Sequence, residues 1–272
     1  MGFSQTDVIT TIRDERLVTW WVDGSTKLPD PIEFYVDRAR SGGEFEQLAG
    51  PLANVCVYVD LEPFNWNKDK NTFYRIRYRI GDSWVTSDPI QANGSWSRQD
   101  YLYVRELFRK ECLRQREVGV PGMLFKQREW GSACPRCADF DTKQPADGQC
   151  PICYGTGIDH GFYEPIALTV DLNPLTSERK ESDLGTVQPD VIVGRAMHYP
   201  MISSFDVWVS ITSNARYRIR KVTNVAEWRG RPLIANLELR LIPQTDVLYM
   251  LGTEIPVSSE PANDAWNQLN VV

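Results

Sequence analysis

The chain of 272 residues carries a formal net charge of −6, and its 42% hydrophobic and 24% charged residues are ordinary for a protein that buries a core. These values exclude wholesale disorder, and the acidic balance argues against a general nucleic-acid binder. No apolar run approaches the roughly 20 residues of a membrane span, the first residues lack the basic-then-apolar pattern of a signal peptide, and the length predicts two or three domains.

Residues 1–93 are predicted to form a β-sandwich. They contain short runs rich in β-branched and aromatic residues, which Gly, Pro and Asp separate. In the clearest run, TFYRIRYRI, apolar and basic residues alternate with the period of a strand. One face carries Tyr74, Ile76, Tyr78 and Ile80, and the other carries Arg75, Arg77 and Arg79. We assign this first arginine row to the sandwich surface, where acids of neighbouring strands are expected to pair with it.

Two motifs in this block resemble the fibronectin type III family. Leu61-Glu62-Pro63, followed by Thr72-Phe73-Tyr74-Arg75-Ile76-Arg77, resembles the family signature L-x-P … T-x-Y-x-x-R. Trp20 or Trp21 would match the tryptophan of the family's second strand, whereas the inserted residues FNWNKDKN lengthen the turn between the two motifs. The resemblance implies a binding or spacer module without catalytic chemistry.

Residues 94–164 are predicted to hold one long helix followed by a zinc-knuckle insertion. Apolar residues at helical spacing place the helix at 97–117, and Gly119 lies where it should end. Ser97 can cap its first turn, although Asp100 stands where a capping box usually has Glu or Gln.

Five arginines make this helix basic within an acidic protein: Arg98, Arg105, Arg109, Arg114 and Arg116. A solvated helix face is one interpretation of this pattern. A contact with an acidic neighbour or with passing DNA is the other, and Arg105 and Arg109 are its interface candidates.

Four of the six cysteines fall into two CxxC pairs separated by twelve residues. They are Cys134, Cys137, Cys150 and Cys153. Two short turns that aim four thiolates at one point fit a tetrahedral zinc ion, and a full cysteine shell leaves no open position for catalysis. Two CxxC disulfides are the alternative, but they would be strained. His160 is either a spare ligand or, as we expect, a surface residue, and Cys56 and Cys112 are expected to be buried thiols.

Residues 165–250 are predicted to form a small β-barrel or sandwich. A second arginine row, Arg216, Arg218 and Arg220, lies on one of its strands. Acids of the same chain can pair with this row, but we favour a neighbouring subunit and take all three as interface candidates. The polar stretch 172–187 is predicted to be a loop, and residues 251–272 form a polar tail.

A search for catalytic motifs finds no nucleotide-binding glycine loop, no HExxH and no GxSxG. With only two histidines in the chain, we expect no enzyme and no small-molecule substrate.

The middle of the chain resembles structural proteins of tailed bacteriophages. The stretch from ECLRQREVGVPG to CPICYGTGIDHGFYEP looks like proteins at the neck, where head joins tail. The stretch RYRIRKVTNVAEWRGRPLIANLELRLIP resembles the small β-barrels of head–tail connectors and stoppers. The second CxxC pair also resembles the CxxCxGxG knuckle of chaperone zinc domains, but one copy does not make a chaperone.

Together these features predict a mainly β protein with one long helix that is a non-enzymatic structural component of a phage virion. The resemblance implies a homo-oligomeric ring at the neck, assembled in the host cytoplasm, with a structural zinc ion in each chain. Its partners would be portal, connector or tail proteins, with packaged DNA as a further candidate and no membrane. Alternatives are a baseplate or tail protein, a zinc-ribbon nucleic-acid-binding protein, and a carbohydrate-binding or hydrolytic β-protein. The three Asp and one Lys of loop 138–149 disfavour the zinc-ribbon alternative.

Overall fold

The computed structural model describes residues 3–10, 15–22, 32–92, 96–129, 131–139, 145–172, 180–182, 185–187, 191–198 and 201–252. As predicted, the fold is mainly β with one long helix. The described residues form two compact units. The first unit holds the residues up to 107 together with 128–164, and the second holds 108–127 together with 165–252.

The elements before the long helix are β1 (Phe3–Thr10), β2 (Arg16–Val22), β3 (Glu33–Arg40), β4 (Glu46–Ala53), β5 (Val57–Asp60), α1 (Trp66–Asp69), β6 (Thr72–Ile80), β7 (Ser83–Thr86) and β8 (Ile90–Gln91). The long helix α2 spans Arg98–Val118. After it come β9 (Gly122–Phe125), β10 (Ile166–Ala167), β11 (Asp171–Leu172), β12 (Lys180–Ser182), β13 (Gly185–Val187), β14 (Val191–Met197), β15 (Val207–Ser210), β16 (Arg216–Trp228) and β17 (Arg231–Leu241). A single 3₁₀ turn, Val247–Met250, follows.

The first unit contains two antiparallel sheets, ordered β1-β2-β5 and β4-β3-β6-β7, with β8 paired to β6. Their aromatic side chains meet, since the rings of Trp20 and Phe34 lie 5.4 Å apart. The alternation predicted for β6 is confirmed, because Tyr74, Ile76 and Tyr78 are fully buried. Trp20 is the core tryptophan, while Trp21 is half-buried.

The insertion between the two family-like motifs folds into the helical turn α1. Asn65 caps this turn by accepting a hydrogen bond from the Asn67 amide at 3.1 Å. The ring of Trp66 then lies 5.2 Å from that of Tyr101 in the first turns of α2. The inserted residues therefore join the β5–β6 connection to the start of the helix.

Helix α2 begins with a reciprocal cap in which Asp100 replaces the usual Glu. The Ser97 amide donates to Asp100 Oδ2 at 2.9 Å, and the Asp100 amide donates to Ser97 Oγ at 3.2 Å. The shorter acid is thus sufficient to pair two backbone donors that the helix cannot satisfy itself.

The second unit is built on one seven-stranded antiparallel sheet in the order β10-β9-β15-β16-β17-β14-β11. A bridge between Val120 and Val170 continues the pairing of β9 with β10. The same run of chain, residues 166–172, then pairs with β14 through β11, so the sheet curls back towards its first strands. Trp208, Leu237 and Leu239 lie in the enclosed core.

Several predictions fall at the margins of the described residues. Within the predicted loop 172–187, β12 and β13 pair as a short antiparallel hairpin. Residues 173–179, 183 and 184 of this stretch lie outside the described part. Most of the tail 251–272 also lies outside it. Cys56 is buried as expected, whereas Cys112 is only half-buried, with its Sγ 3.8 Å from Met197 Sδ.

Candidate metal centre and arginine surfaces

The four clustered cysteines come together in space. Their Sγ atoms all lie within 4.8 Å of one another, with Cys134 to Cys150 at 3.8 Å and Cys137 to Cys153 at 3.4 Å. A tetrahedral zinc ion with Zn–S bonds of about 2.3 Å holds its sulfur ligands about 3.8 Å apart. The spacing therefore fits a metal site with four cysteine ligands. All four cysteines are free thiols in the structure, so neither CxxC pair forms the alternative disulfide.

Turn chemistry in the knuckles places these thiols. The Tyr154 amide donates to the Cys150 carbonyl at 2.9 Å and closes a tight turn around the second pair. Gly155 and Gly157 follow with φ angles of +77° and +78°, a conformation that glycine adopts without strain. At Gly155 a side chain would also collide with the Gly148 carbonyl oxygen, at 2.7 Å from the added Cβ.

Backbone amides point at the sulfur atoms of the second pair. Burial raises the pKa of Cys150, but hydrogen bonds from the amides of Cys153 and Ile152 and from other thiols outweigh it and lower that pKa to about 7. Burial raises the pKa of Cys153 despite the amides of Gly157 and Gly155. Such N–H···S contacts spread the negative charge that thiolate ligands bring to a metal.

His160 does not belong to the cluster. Among the described residues, the group that can hold a metal contains the four cysteines alone. His160 is exposed, with φ at +51°.

Aromatic contacts tie the knuckle block to the sheets of the first unit. The ring of Tyr163 lies 5.8 Å from that of Trp21 in β2, and the Arg128 guanidinium lies 5.7 Å from the Tyr163 ring. The Arg128 amide donates to the Gly161 carbonyl at 2.9 Å. The candidate metal site therefore belongs to the compact body that β2 helps to build.

The first arginine row is paired within its own chain. Arg75 Nε and Arg77 Nη2 each lie 2.7 Å from a carboxylate oxygen of the buried Asp37. Arg79 Nη2 donates to Asp82 at 2.8 Å. The row also stacks on aromatic rings, since Arg77 lies 4.8 Å from the ring of Trp84. The expected surface assignment of this row agrees with these contacts.

Arg216 departs from the interface role that we expected for the second row. It is buried, with Nη2 donating to the Leu251 carbonyl at 2.9 Å and Nη1 donating to the Leu248 carbonyl. Its guanidinium also stacks 4.9 Å from the Tyr249 ring. The chain covers Arg216 itself, so we correct this assignment and remove Arg216 from the interface candidates.

The other members of the second row are accessible. Arg218 is half-buried and Arg220 is exposed. Arg218 pairs directly across the ladder with Arg240 of β17, and Arg220 lies in a register shift of β16. On α2, Arg105 is half-buried and Arg109 is exposed.

Two buried polar clusters have no recognisable sequence motif. In the first unit, Asp60 accepts from the Tyr74 hydroxyl at 2.5 Å and pairs with Arg16 at 2.9 Å and Arg38 at 2.8 Å. Tyr74 in the family-like motif could have indicated this cluster, but its acidic partner Asp60 lies on another strand.

In the second unit, Lys126 and Asp206 form a fully buried ion pair at 2.8 Å. Asp206 also accepts from the amides of Gln127 and Ser203. Burial raises the pKa of Asp206, although the Lys126 ammonium works against this. Burial lowers the pKa of the nearby His198 to about 4, and the charge of Lys126 adds to the effect.

Comparisons with known proteins add little. No family model matches the chain, and no curated protein matches it. A structure of titin kinase and its flanking domains aligns over 87% of this chain and 37% of its own length, with 12% identity and a TM-score of 0.28. A similarity this low carries no argument about function. No helix among the described residues is both long and apolar enough to cross a membrane.

Proposed function

We propose that this protein is a non-enzymatic structural component of a tailed-phage virion and forms part of an oligomeric ring at the neck between head and tail. The observation that carries the proposal is the arginine pair Arg218 and Arg240, which face each other on an accessible strand pair. Like charges directly opposite each other are unfavourable unless an anion from elsewhere lies between them. A surface of this kind suits a subunit interface.

The two units suit a building block of such an assembly. Each unit buries its own aromatic and aliphatic core, around Trp20 in the first and Trp208 in the second. The curled sheet of the second unit supports the small barrel expected for connector-like proteins. We assign ring contacts to this unit and to the exposed side of α2, where Arg105 and Arg109 remain candidates.

We infer that the first unit holds a fibronectin type III-like sandwich. In related sandwiches the first, second and fifth strands share one sheet, and the third, sixth and seventh share the other. The sheets β1-β2-β5 and β4-β3-β6-β7 follow this distribution. The Tyr74 hydroxyl near the start of β6 bonds back to Asp60 at the end of β5, much as a tyrosine corner does. This module would serve as a spacer or binding module.

The cysteine cluster is proposed to bind one structural zinc ion. Cys134, Cys150 and Cys153 are buried and Cys137 is half-buried, so four thiolates would fill the shell and leave no site for water. Elemental analysis of the purified protein should find about one zinc per chain. A metal-free protein with two disulfides would contradict the assignment. Chelation should expose residues 131–164 to hydrogen exchange first, because the ion fixes a loop with a small core of its own.

Electron microscopy tests the proposed location. The purified chain should form closed rings in negative stain, and an antibody against it should label purified particles at the neck. Labelling at the distal end of the tail would favour the baseplate alternative. A chain that stays monomeric and labels no particle would contradict a virion role.

A further inference from the structure

Three arginines at accessible positions of the second unit have no ion-pair partner among the described residues. We define the arginine patch as Arg218, Arg220 and Arg240. Arg218 and Arg240 lie opposite each other between β16 and β17, and Arg220 is exposed beside them. Among the described residues none of the three forms an ion pair within 4.0 Å, and Glu238 on the same strand pair lies 3.7 Å from Lys221 instead. The patch therefore concentrates positive charge in an acidic protein.

Other arginines of this fold have their positive charge balanced or covered by groups of the same chain. Arg75 and Arg77 share the buried carboxylate of Asp37, and Arg216 is covered by carbonyls of the segment that ends at Leu251. Both solutions use groups of the same chain. Arg218 and Arg220 of the arginine patch follow Arg216 along β16. A carboxylate is the partner that we expect for the guanidinium groups of the patch.

Residues 253–272, which lie outside the described part, have the matching chemistry. They contain Glu254, Glu260 and Asp264 and no Lys or Arg. Fully extended, a segment of this length spans up to about 65 Å, which suffices to reach an adjacent subunit. A head-to-tail ring needs two different, complementary surfaces on every subunit, and the arginine patch and this acidic segment form such a pair.

We propose that in the assembled ring the arginine patch of each subunit binds the carboxylates of residues 253–272 of the adjacent copy. This inference rests on the ring proposed above and names the contact that closes it. Because guanidinium and carboxylate groups are both charged, assembly weakens as ionic strength rises.

Charge exchange between the two surfaces tests the contact. The patch variant carries Arg218→Glu with Arg240→Glu, and the segment variant carries Glu254→Lys with Glu260→Lys, both in the full chain. Each variant alone repels itself, so sedimentation velocity should show subunit dissociation at concentrations at least about tenfold above those of the wild type. An equimolar mixture should assemble again, because the acidic patch of one chain meets the basic segment of the other.

Lys68→Glu with Lys70→Glu is the matched control. It makes the same change in net charge on exposed residues in and next to α1 and should assemble like the wild type. Melting temperatures identify a variant that has lost its fold. If the patch variant is unfolded, Arg218→Gln with Arg240→Gln removes the positive charge with a milder change, and this variant should still weaken assembly.

The outcomes separate this contact from the proposed function. Two variants that assemble normally would overturn the contact and leave the ring intact. The contact could also lie within one chain. In that case the mixture would fail to reassemble while a single chain carrying all four substitutions would assemble, and this result would overturn the proposed contact between copies. Loss of double-stranded DNA binding by the patch variant without loss of assembly would also overturn it. A wild-type chain that is monomeric at every concentration would overturn contact and ring together.

Discussion

Asp60 illustrates how one buried carboxylate can organise a strand connection. It is almost fully buried and takes charge-assisted hydrogen bonds from Arg38 and the Tyr74 hydroxyl, with Arg16 as a further ionic partner. A buried charge of this kind is stable only while its partners remain, because each loss leaves polar atoms without water or protein to pair with.

Replacing Tyr74 by Phe should therefore destabilise the first unit. The change removes one hydroxyl that donates to a carboxylate and should lower the free energy of unfolding by about 2 kcal/mol. Chemical denaturation of the full chain measures the loss. Tyr35→Phe is the control, since that hydroxyl meets Glu33 at the surface at 3.3 Å and its removal should cost under about 0.5 kcal/mol. Equal losses in both variants would contradict the importance of the buried bond.

His198 should make the stability of the second unit depend on pH. Its folded pKa of about 4 lies below the ordinary 6.5, because the site is buried and faces Lys126 more strongly than Glu227. As the pH falls, the unfolded chain takes up the proton first. The stabilisation is full above about pH 6.5 and is lost towards pH 4, by about 3 kcal/mol in total.

The pH dependence of unfolding in His198→Gln checks this expectation. The variant should show a shallower loss of stability between pH 7 and pH 4 than the wild type. His160→Gln replaces the exposed histidine and should leave the wild-type slope unchanged. If the pH dependence of unfolding became shallower in His160→Gln and not in His198→Gln, the assignment to His198 would be wrong.

Local sequence patterns correctly predicted the structural elements that depend on a few consecutive residues. The alternation in TFYRIRYRI specified the buried face of β6, and the spacing of the four cysteines specified which thiols come together in space. Both signals are contained in a few consecutive residues. The predicted helix 97–117 likewise differs from α2 by one residue at each end.

Features that depend on distant strands were not accessible in this way. Arg216 looks like its neighbours Arg218 and Arg220 in sequence, yet carbonyls more than thirty positions later bury it. The sharing of Asp37 by Arg75 and Arg77 depends on the register of β3 against β6. Nor does the polar stretch 172–187 show the alternation that would have revealed the β12–β13 hairpin.

The second knuckle offers a matched pair of glycines for a test of metal affinity. Gly155→Ala forces a side chain into a left-handed conformation and against the Gly148 carbonyl, whereas Gly148→Ala enters open space. Strain of about 1–2 kcal/mol should weaken zinc binding by roughly tenfold in the first variant only. Competition with a chromophoric chelator measures the affinities. Similar affinities for both variants would show that the turn does not set the site.

For the whole molecule, the separate core of the first unit predicts an independent fragment. Residues 1–93 contain both sheets and the buried side chains Trp20, Phe34 and Tyr78. A chain of this size buries roughly 60–65% of its unfolded surface, which suffices for folding alone. The fragment should give dispersed amide resonances and a cooperative melt. A fragment without either property would mean that residues 96–107 or 128–164 complete the fold.

The meeting of β9 with β10 has a consequence for the speed of folding. These strands pair only after the chain between them, which carries the two CxxC pairs, has closed into a loop. The zinc ion proposed above would join Cys134 and Cys137 to Cys150 and Cys153 and so shorten the loop that must be closed. Since closure entropy grows only with the logarithm of length, the saving is under about 1 kcal/mol. Stopped-flow refolding of the full chain should therefore be about twofold faster with zinc than with chelator, although the four cysteines belong to none of the strands of that sheet.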